Sequence, residues 1–259
     1  MIPRPVTSSP RSWRIWLGLL FIGLSGLLFA IHYLIFRDQR NLFFYLVHNL
    51  AFLPINILIV TMIIDQVLRV REKRVMLQKL NMVIGAFFSE VGNQLLKRFI
   101  VFDQNATGLR TALSGIGRWR PRDFPAGRQL AGAHEGRIDV RQGDLVGLKT
   151  FLAQERAFLL GLLENPNLLE HETFTELLWA VFHVAEELAY RPDVSRLSES
   201  DLKHLSGDIY RAYLLLVGAW IDYLGHLNGS YPYLFSLEIR LNPFDPQAVV
   251  ELPSKPDGA

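Results

Sequence analysis

The chain has 259 residues, half of them hydrophobic and only 20% charged, with a formal net charge of +2 and no cysteine. Ordinary soluble domains carry about 25% charge. Here charge is missing altogether from residues 15–36 and 42–64, and each run exceeds the roughly 20 apolar residues a bilayer core requires. These figures exclude a plain soluble enzyme, a disulfide scaffold and any cysteine-ligated zinc site, and the net charge is too small to argue for nucleic acid.

In chain order, residues 1–12 hold three prolines and three serines and are expected to be disordered, since they bury too little to order themselves. A hairpin of two transmembrane helices is expected over 13–69, with spans at about 15–36 and 42–64. The first span has the basic start of a signal peptide. Its apolar core, however, is much longer than the roughly 7–15 residues of a signal sequence, and no small-x-small site follows, so an uncleaved anchor is the better reading. Three basic residues precede it (Arg4, Arg11, Arg14), two sit in the turn expected at 37–41 (Arg37, Arg40), and five follow the second span (Arg69, Arg71, Lys73, Arg74, Lys79). Positive charge favours the cytoplasmic side, which places both termini in the cytoplasm.

Residues 70–241 read as a cytoplasmic α-helical domain, because the apolar periodicity is helical throughout. Leu77, Leu80, Ile84, Phe88, Val91, Leu95, Phe99 and Phe102 recur at steps of three and four, as if the second span ran on into the domain. A second domain helix is expected from Asp144, with Leu145, Leu148, Leu152, Leu159 and Leu162 on one face. A third is expected from Asn165-Pro166 to about Arg191, and a fourth from the capping-box-like Ser198–Asp201 to Asn228-Gly229. The centre of the fourth, Ala212–Ile221, is apolar all round and implies burial on every side. A short helix over Pro232–Arg240 should end at Asn242-Pro243, leaving 242–259 mostly disordered. Residues 115–142, rich in Gly and Arg with Trp119 and Phe124 between, read as a solvated connection outside the bundle, with room for one short helix inside it. The alternative for that stretch is contact with anionic headgroups. The fold class is all-α: an N-terminal two-helix transmembrane hairpin followed by a cytoplasmic helical bundle.

Polar residues inside the spans form stripes. Gly18, Ser25 and His32 are seven apart on the first helix, and Tyr45, Asn49 and Asn56 fall within about 40° of one another on the second. Facing stripes of small and amide side chains suit membrane helix packing, with an ion or proton path through an oligomer as the alternative. Pro54 should kink the second helix and free a carbonyl.

In the bundle, His183 and Glu187 are four apart on the third helix, and His204 and Asp208 four apart on the fourth. Each pair projects from one helical face, as a bundle metal site requires. Glu155 interrupts the leucine stripe, where a carboxylate has to be paired, protonated or bound. Together Glu155, His183, Glu187, His204 and Asp208 would ligate a first-row metal through nitrogen and oxygen, against a plainer reading as a solvated stripe and a Glu155–Arg or Glu155–His pair. No phosphate-binding loop, dinucleotide fingerprint, zinc-protease or nucleophile-elbow motif is present, and no catalytic residue or cofactor is assigned.

The stretches HNLAFLPINILIVTMII, KLNMVIGAFFSEVG, LLENPNLLEHETFTELLWAVFHVAEEL and YPYLFSLEIRLNPFDP resemble a family of uncharacterised prokaryotic membrane proteins, over most of residues 40–246. The resemblance implies two spans near the N-terminus and a cytoplasmic helical region, and it implies no activity. The function expected is a membrane-tethered binding or scaffolding module that has the lipid bilayer, and a protein partner or a second copy, as partners. A subunit of a small oligomeric channel or transporter and a bundle-sited metal-dependent enzyme are the alternatives.

Overall fold

The computed structural model describes residues 10–37, 39–166, 168 and 171–251. Among them the protein is all-α. The nearest thing to a strand is the isolated bridge Asp103–Ile138. The chain divides into two compact units, Met1–Arg71 and Glu72–Ala259.

The first unit holds α1 (Pro10–Phe36) and the beginning of α2 (Gln39–Phe87). Residues 10–12 are thus helical rather than disordered, and residues 1–9 lie outside the described ones. The turn is shorter than the 37–41 expected. Arg37 adopts a left-handed φ of 46° while its N–H still reaches the Tyr33 carbonyl at 2.9 Å, which terminates α1 within one residue. The helix assignment of α2 continues through Pro54. Side chains from Trp13 to Ile35, and from Phe43 to Val70, are largely exposed; Trp16 and Ile22 show more than 70% of their surface. By length and composition both helices suffice to cross a membrane.

The second unit is built around one helix, α9 (Glu199–Ser230). Ser198 caps it, its hydroxyl accepting from the Asp201 N–H. Ala212, Tyr213, Leu216, Val217, Trp220 and Ile221 are fully buried, the outcome a helix apolar on all sides dictates. Packed on it are α8 (Glu172–Ala189), α5 (Phe124–Gly132), α10 (Pro232–Arg240) and α3 (Asn93–Phe102). Between α2 and α3 lies a single π turn, Phe88–Gly92. It lets consecutive rings both enter the core: Phe87 meets Phe174 edge-on at 5.3 Å, and Phe88 stacks on Tyr223 at 5.0 Å. A Cβ at position 92 would run into both rings, so glycine is required there. The expected stripe holds from Leu80 to Phe102, while Leu77 is exposed.

Three sequence expectations need correction. Residues 115–142 belong to the bundle. After α4 (Thr107–Ser114) and a 3₁₀ turn at Ile116–Arg118, α5 presents Phe124, Gly127 and Ala131 to the core. Trp119 packs over Gly127 instead of reaching outward. Arg128 crosses Gly218, where a Cβ would collide with the guanidinium, and pairs with Asp222 at 3.2 Å. The third expected helix starts late: Asn165-Pro166 form a turn, and His171 caps α8 through its ring nitrogen. Nor does the fold end at 242. Asn242 donates to the Leu113 carbonyl and accepts from the Phe244 N–H, both at 2.9 Å, and Phe244 is buried against Trp220.

Replacing Asn242 by Ala leaves the buried Phe244 N–H unsatisfied and takes from the Leu113 carbonyl one of its two donors, the other being the Gly115 N–H, so it should cost roughly 1–3 kcal/mol. Chemical denaturation of the variant, read as a shift in midpoint, checks this; a midpoint unchanged from wild type would return residues 242–245 to the tail.

Candidate functional site

Two of the helices singled out above converge as their spacing requires. α8 carries His183 and Glu187, and α9 carries His204 and Asp208. The Oδ2 atom of Asp208 lies 3.2 Å from His204 Nε2 and 3.5 Å from His183 Nε2. Asp208 is buried while both imidazoles are about half exposed, so the carboxylate forms the floor of a cluster open to solvent. Although both nitrogens are near, Oδ2 makes no hydrogen bond: distance is met and angle is not. Glu187 stands beside them, 4.0 Å from His183 Nε2 and 3.6 Å from His204 Nε2.

Arg191 organises the edge of the cluster. Its guanidinium donates to Glu187 at 2.6 Å and to Asp201 at 3.1 Å, tying the end of α8 to the start of α9. This hydrogen bond holds the Glu187 carboxyl below the usual carboxylate range against the upward push of burial. Burial alone would lower the guanidinium pKa of Arg191, and the two carboxylates raise it instead. Sequence reasoning missed Arg191, yet its signal was present: it follows Glu187 by four residues, the spacing of a helical ion pair.

Glu155 does not join the cluster. The leucine stripe belongs to two helices, α6 (Leu145–Gln154) and α7 (Arg156–Leu163), which meet at Glu155. The break carries this side chain off the buried face, where it is half-buried and makes no ion pair or side-chain hydrogen bond among the described residues. The adjacent Arg156 makes the link to α8 instead, through Glu186 at 2.8 Å and across the Phe182 ring. The buried carboxylate–imidazole pair expected for Glu155 is found elsewhere. Asp103, its side chain fully buried, meets His134 Nε2 at 2.7 Å and accepts from the N–H groups of Asn105 and Arg137.

In the first unit, Ser25, His32 and Tyr45 line one groove of 470 Å³ with Phe21, Leu24, Leu28 and Phe29. Gly18 has nothing within 4 Å of its missing Cβ, and Asn49 and Asn56 are exposed and do not line the groove. The two polar stripes therefore meet over part of their length only.

A second concave site lies between the end of α2 and the α9–α10 corner. Its 450 Å³ is lined mainly by Met82, Tyr223, Leu227, Tyr231, Leu234 and Leu237, with Asn81, His226 and Glu238 as polar groups. That is the size and character of small-molecule pockets. Glu238 is buried and accepts from Asn93 Nδ2 at 2.9 Å. Burial pushes its carboxyl up, more than the Asn93 hydrogen bond pulls it down. Burial also raises Tyr223 to about 12, with the Glu238 charge adding to the effect, and lowers His226. No pattern in the sequence marked Glu238; it sits on a nine-residue helix whose burial only the fold reveals.

A carboxyl raised in the folded state binds more protons there than in the unfolded chain. Its contribution is therefore lost as pH rises from the ordinary glutamate range through the raised value. Glu238→Gln should remove that slope, and its amide oxygen still accepts from Asn93 Nδ2. Melting curves across pH should show the variant more stable than wild type at neutral pH and level with it near pH 4. A difference that does not change with pH would overturn this account of Glu238.

Comparison with known proteins agrees with the all-α architecture. Residues 8–68 match a family described as "MJ1433, N-terminal helical domain", and residues 76–240 match "Uncharacterized protein MJ1433, C-terminal helical domain". The chain is 43% identical over 240 residues to the uncharacterized protein MJ1433 of Methanocaldococcus jannaschii, covering 93% of this chain and 96% of that one. No solved structure matches. With both helical domains matched and an archaeal relative aligned almost end to end, the chain belongs to the MJ1433 family.

Proposed function

We propose that the protein is anchored in the plasma membrane by α1 and the first part of α2, and that Glu72 onward forms a cytoplasmic binding module whose ligand seat is the cavity beside Glu238. One observation carries the membrane half. Nearly every aliphatic and aromatic side chain from Trp13 to Ile35 and from Phe43 to Val70 is exposed, whereas the second unit buries its own from Leu80 onward. The largest apolar patch on a typical soluble monomer is about 300–600 Å²; two exposed, predominantly apolar spans far exceed it, and lipid is the solvent that suits them. The orientation follows the basic residues, which outnumber those of the turn on both flanks. The binding half rests on the cavity, mainly apolar with a few polar groups, and on the absence of recognisable catalytic motifs.

The absence of cysteine makes the topology directly testable. The protein should stay with membranes through an alkaline carbonate wash and leave only in detergent. Gln39→Cys should be labelled by an impermeant thiol reagent on intact cells, and Ser200→Cys only after permeabilisation. Release by carbonate would overturn the anchoring, and external labelling at position 200 the orientation.

A further inference from the structure

We propose that His183, His204 and Asp208 form a binding site for one divalent first-row transition-metal ion, with Zn²⁺ as the reference probe. The site is independent of the membrane reading. Each residue offers one ligand atom, a ring nitrogen of either histidine or an oxygen of Asp208, and the three lie within 4.8 Å of one another.

The distances are the first argument. Zinc binds nitrogen and oxygen at about 2.0–2.2 Å in a tetrahedron, so two of its ligand atoms stand about 3.4 Å apart. Asp208 Oδ2 lies 3.2 Å and 3.5 Å from the two imidazole nitrogens. The protein already holds these pairs at the separation that a shared ion imposes.

The state of Asp208 is the second. Its Oδ2 atom is buried and without a hydrogen bond, although two nitrogens lie within reach. A buried carboxylate oxygen left in this state is costly, and a cation placed between the three atoms removes the cost. The arrangement fits a shared cation better than a pair of hydrogen bonds, because the groups approach without aligning on one another.

The surroundings are the third. His183 and His204 are about half exposed, which gives an ion a way in and leaves a coordination position toward solvent. Two imidazoles and one carboxylate are the donor set of zinc and of non-haem iron rather than of calcium or magnesium. Glu187, fixed by Arg191, stands 3.6–4.0 Å from the imidazole nitrogens. It supplies negative charge beside the ion without being needed as a ligand.

The experiment uses full-length, tag-free protein in detergent, stripped of metal and titrated with Zn²⁺ by calorimetry and with Co²⁺ by visible absorption. One equivalent should bind per chain, and Co²⁺ should show the intense bands of a four-coordinate site. Because Asp208 is buried, the decisive variants are His183→Ala and His204→Ala, whose side chains are exposed. Their metal-free melting checks the fold. Each should weaken Zn²⁺ by more than about 100-fold, beyond what loss of a supporting group costs, while His226→Ala should bind as wild type does. A wild type that takes up no stoichiometric ion, or a folded His183→Ala/His204→Ala double variant that binds as tightly as wild type, would overturn the proposal.

Discussion

A helix that is apolar around its whole circumference has to be wrapped, and α9 imposes this on everything after residue 72. No single neighbour covers such a surface, so α3, α5, α8 and α10 each take one side of it. The wrapping recruits segments whose own composition would not order them. The Gly- and Arg-rich stretch before residue 142 is held because Phe124 and Ala131 find the apolar wall of α9, and Phe244 is held because Trp220 offers a face. The polar groups that enter with these segments then need partners. Asn242 bonding to Leu113, and Asp103 bonding to His134, are the result.

The same geometry explains where chemistry gathers. At its N-terminal end α9 emerges from the core beside α8, so residues there have one buried and one wet side. Asp208 lies on the buried side and His204 on the wet one, a turn apart, and His183 faces both from α8. At the opposite end, α9 turns sharply into α10, and the corner fails to close against α2. The cavity near Glu238 is what that corner leaves. Both sites are therefore by-products of how one long helix begins and ends.

Much of this was legible beforehand, where a local rule decides. The cap at Ser198, the buried centre Ala212–Ile221 and the span of α10 all follow from side-chain type and period. So did the juxtaposition of His183, Glu187, His204 and Asp208, because i,i+4 spacing on two neighbouring helices is nearly sufficient to pair them. What failed depended on phase or on distant partners. A one-residue break at Glu155 moves a carboxylate from the core side to the margin, and periodicity summed over eighteen residues does not register it. The π turn at Phe88–Gly92 was hidden for a related reason, since an inserted residue preserves the steps of three and four on either side. Asp103 and His134 are 31 positions apart, and nothing local joins them. The groove beside Ser25 shows the opposite error: the polar stripes are present, but Phe21, Leu24, Leu28 and Phe29 share the groove with Ser25, His32 and Tyr45, while Asn49 and Asn56 lie outside it.

The crossing of Arg128 over Gly218 ties two residues on separate helices into one unit of inheritance. Space for a guanidinium exists only where a Cβ is absent, and Asp222 one turn further along α9 is the anion that draws the arginine across. Any side chain larger than hydrogen at 218 evicts the arginine, and a short residue at 128 removes the reason for glycine, which costs helix stability wherever it stands. The three positions 128, 218 and 222 can drift only together, so within this family their substitutions should be correlated across a separation of ninety residues, as a record of the packing written into the sequences themselves.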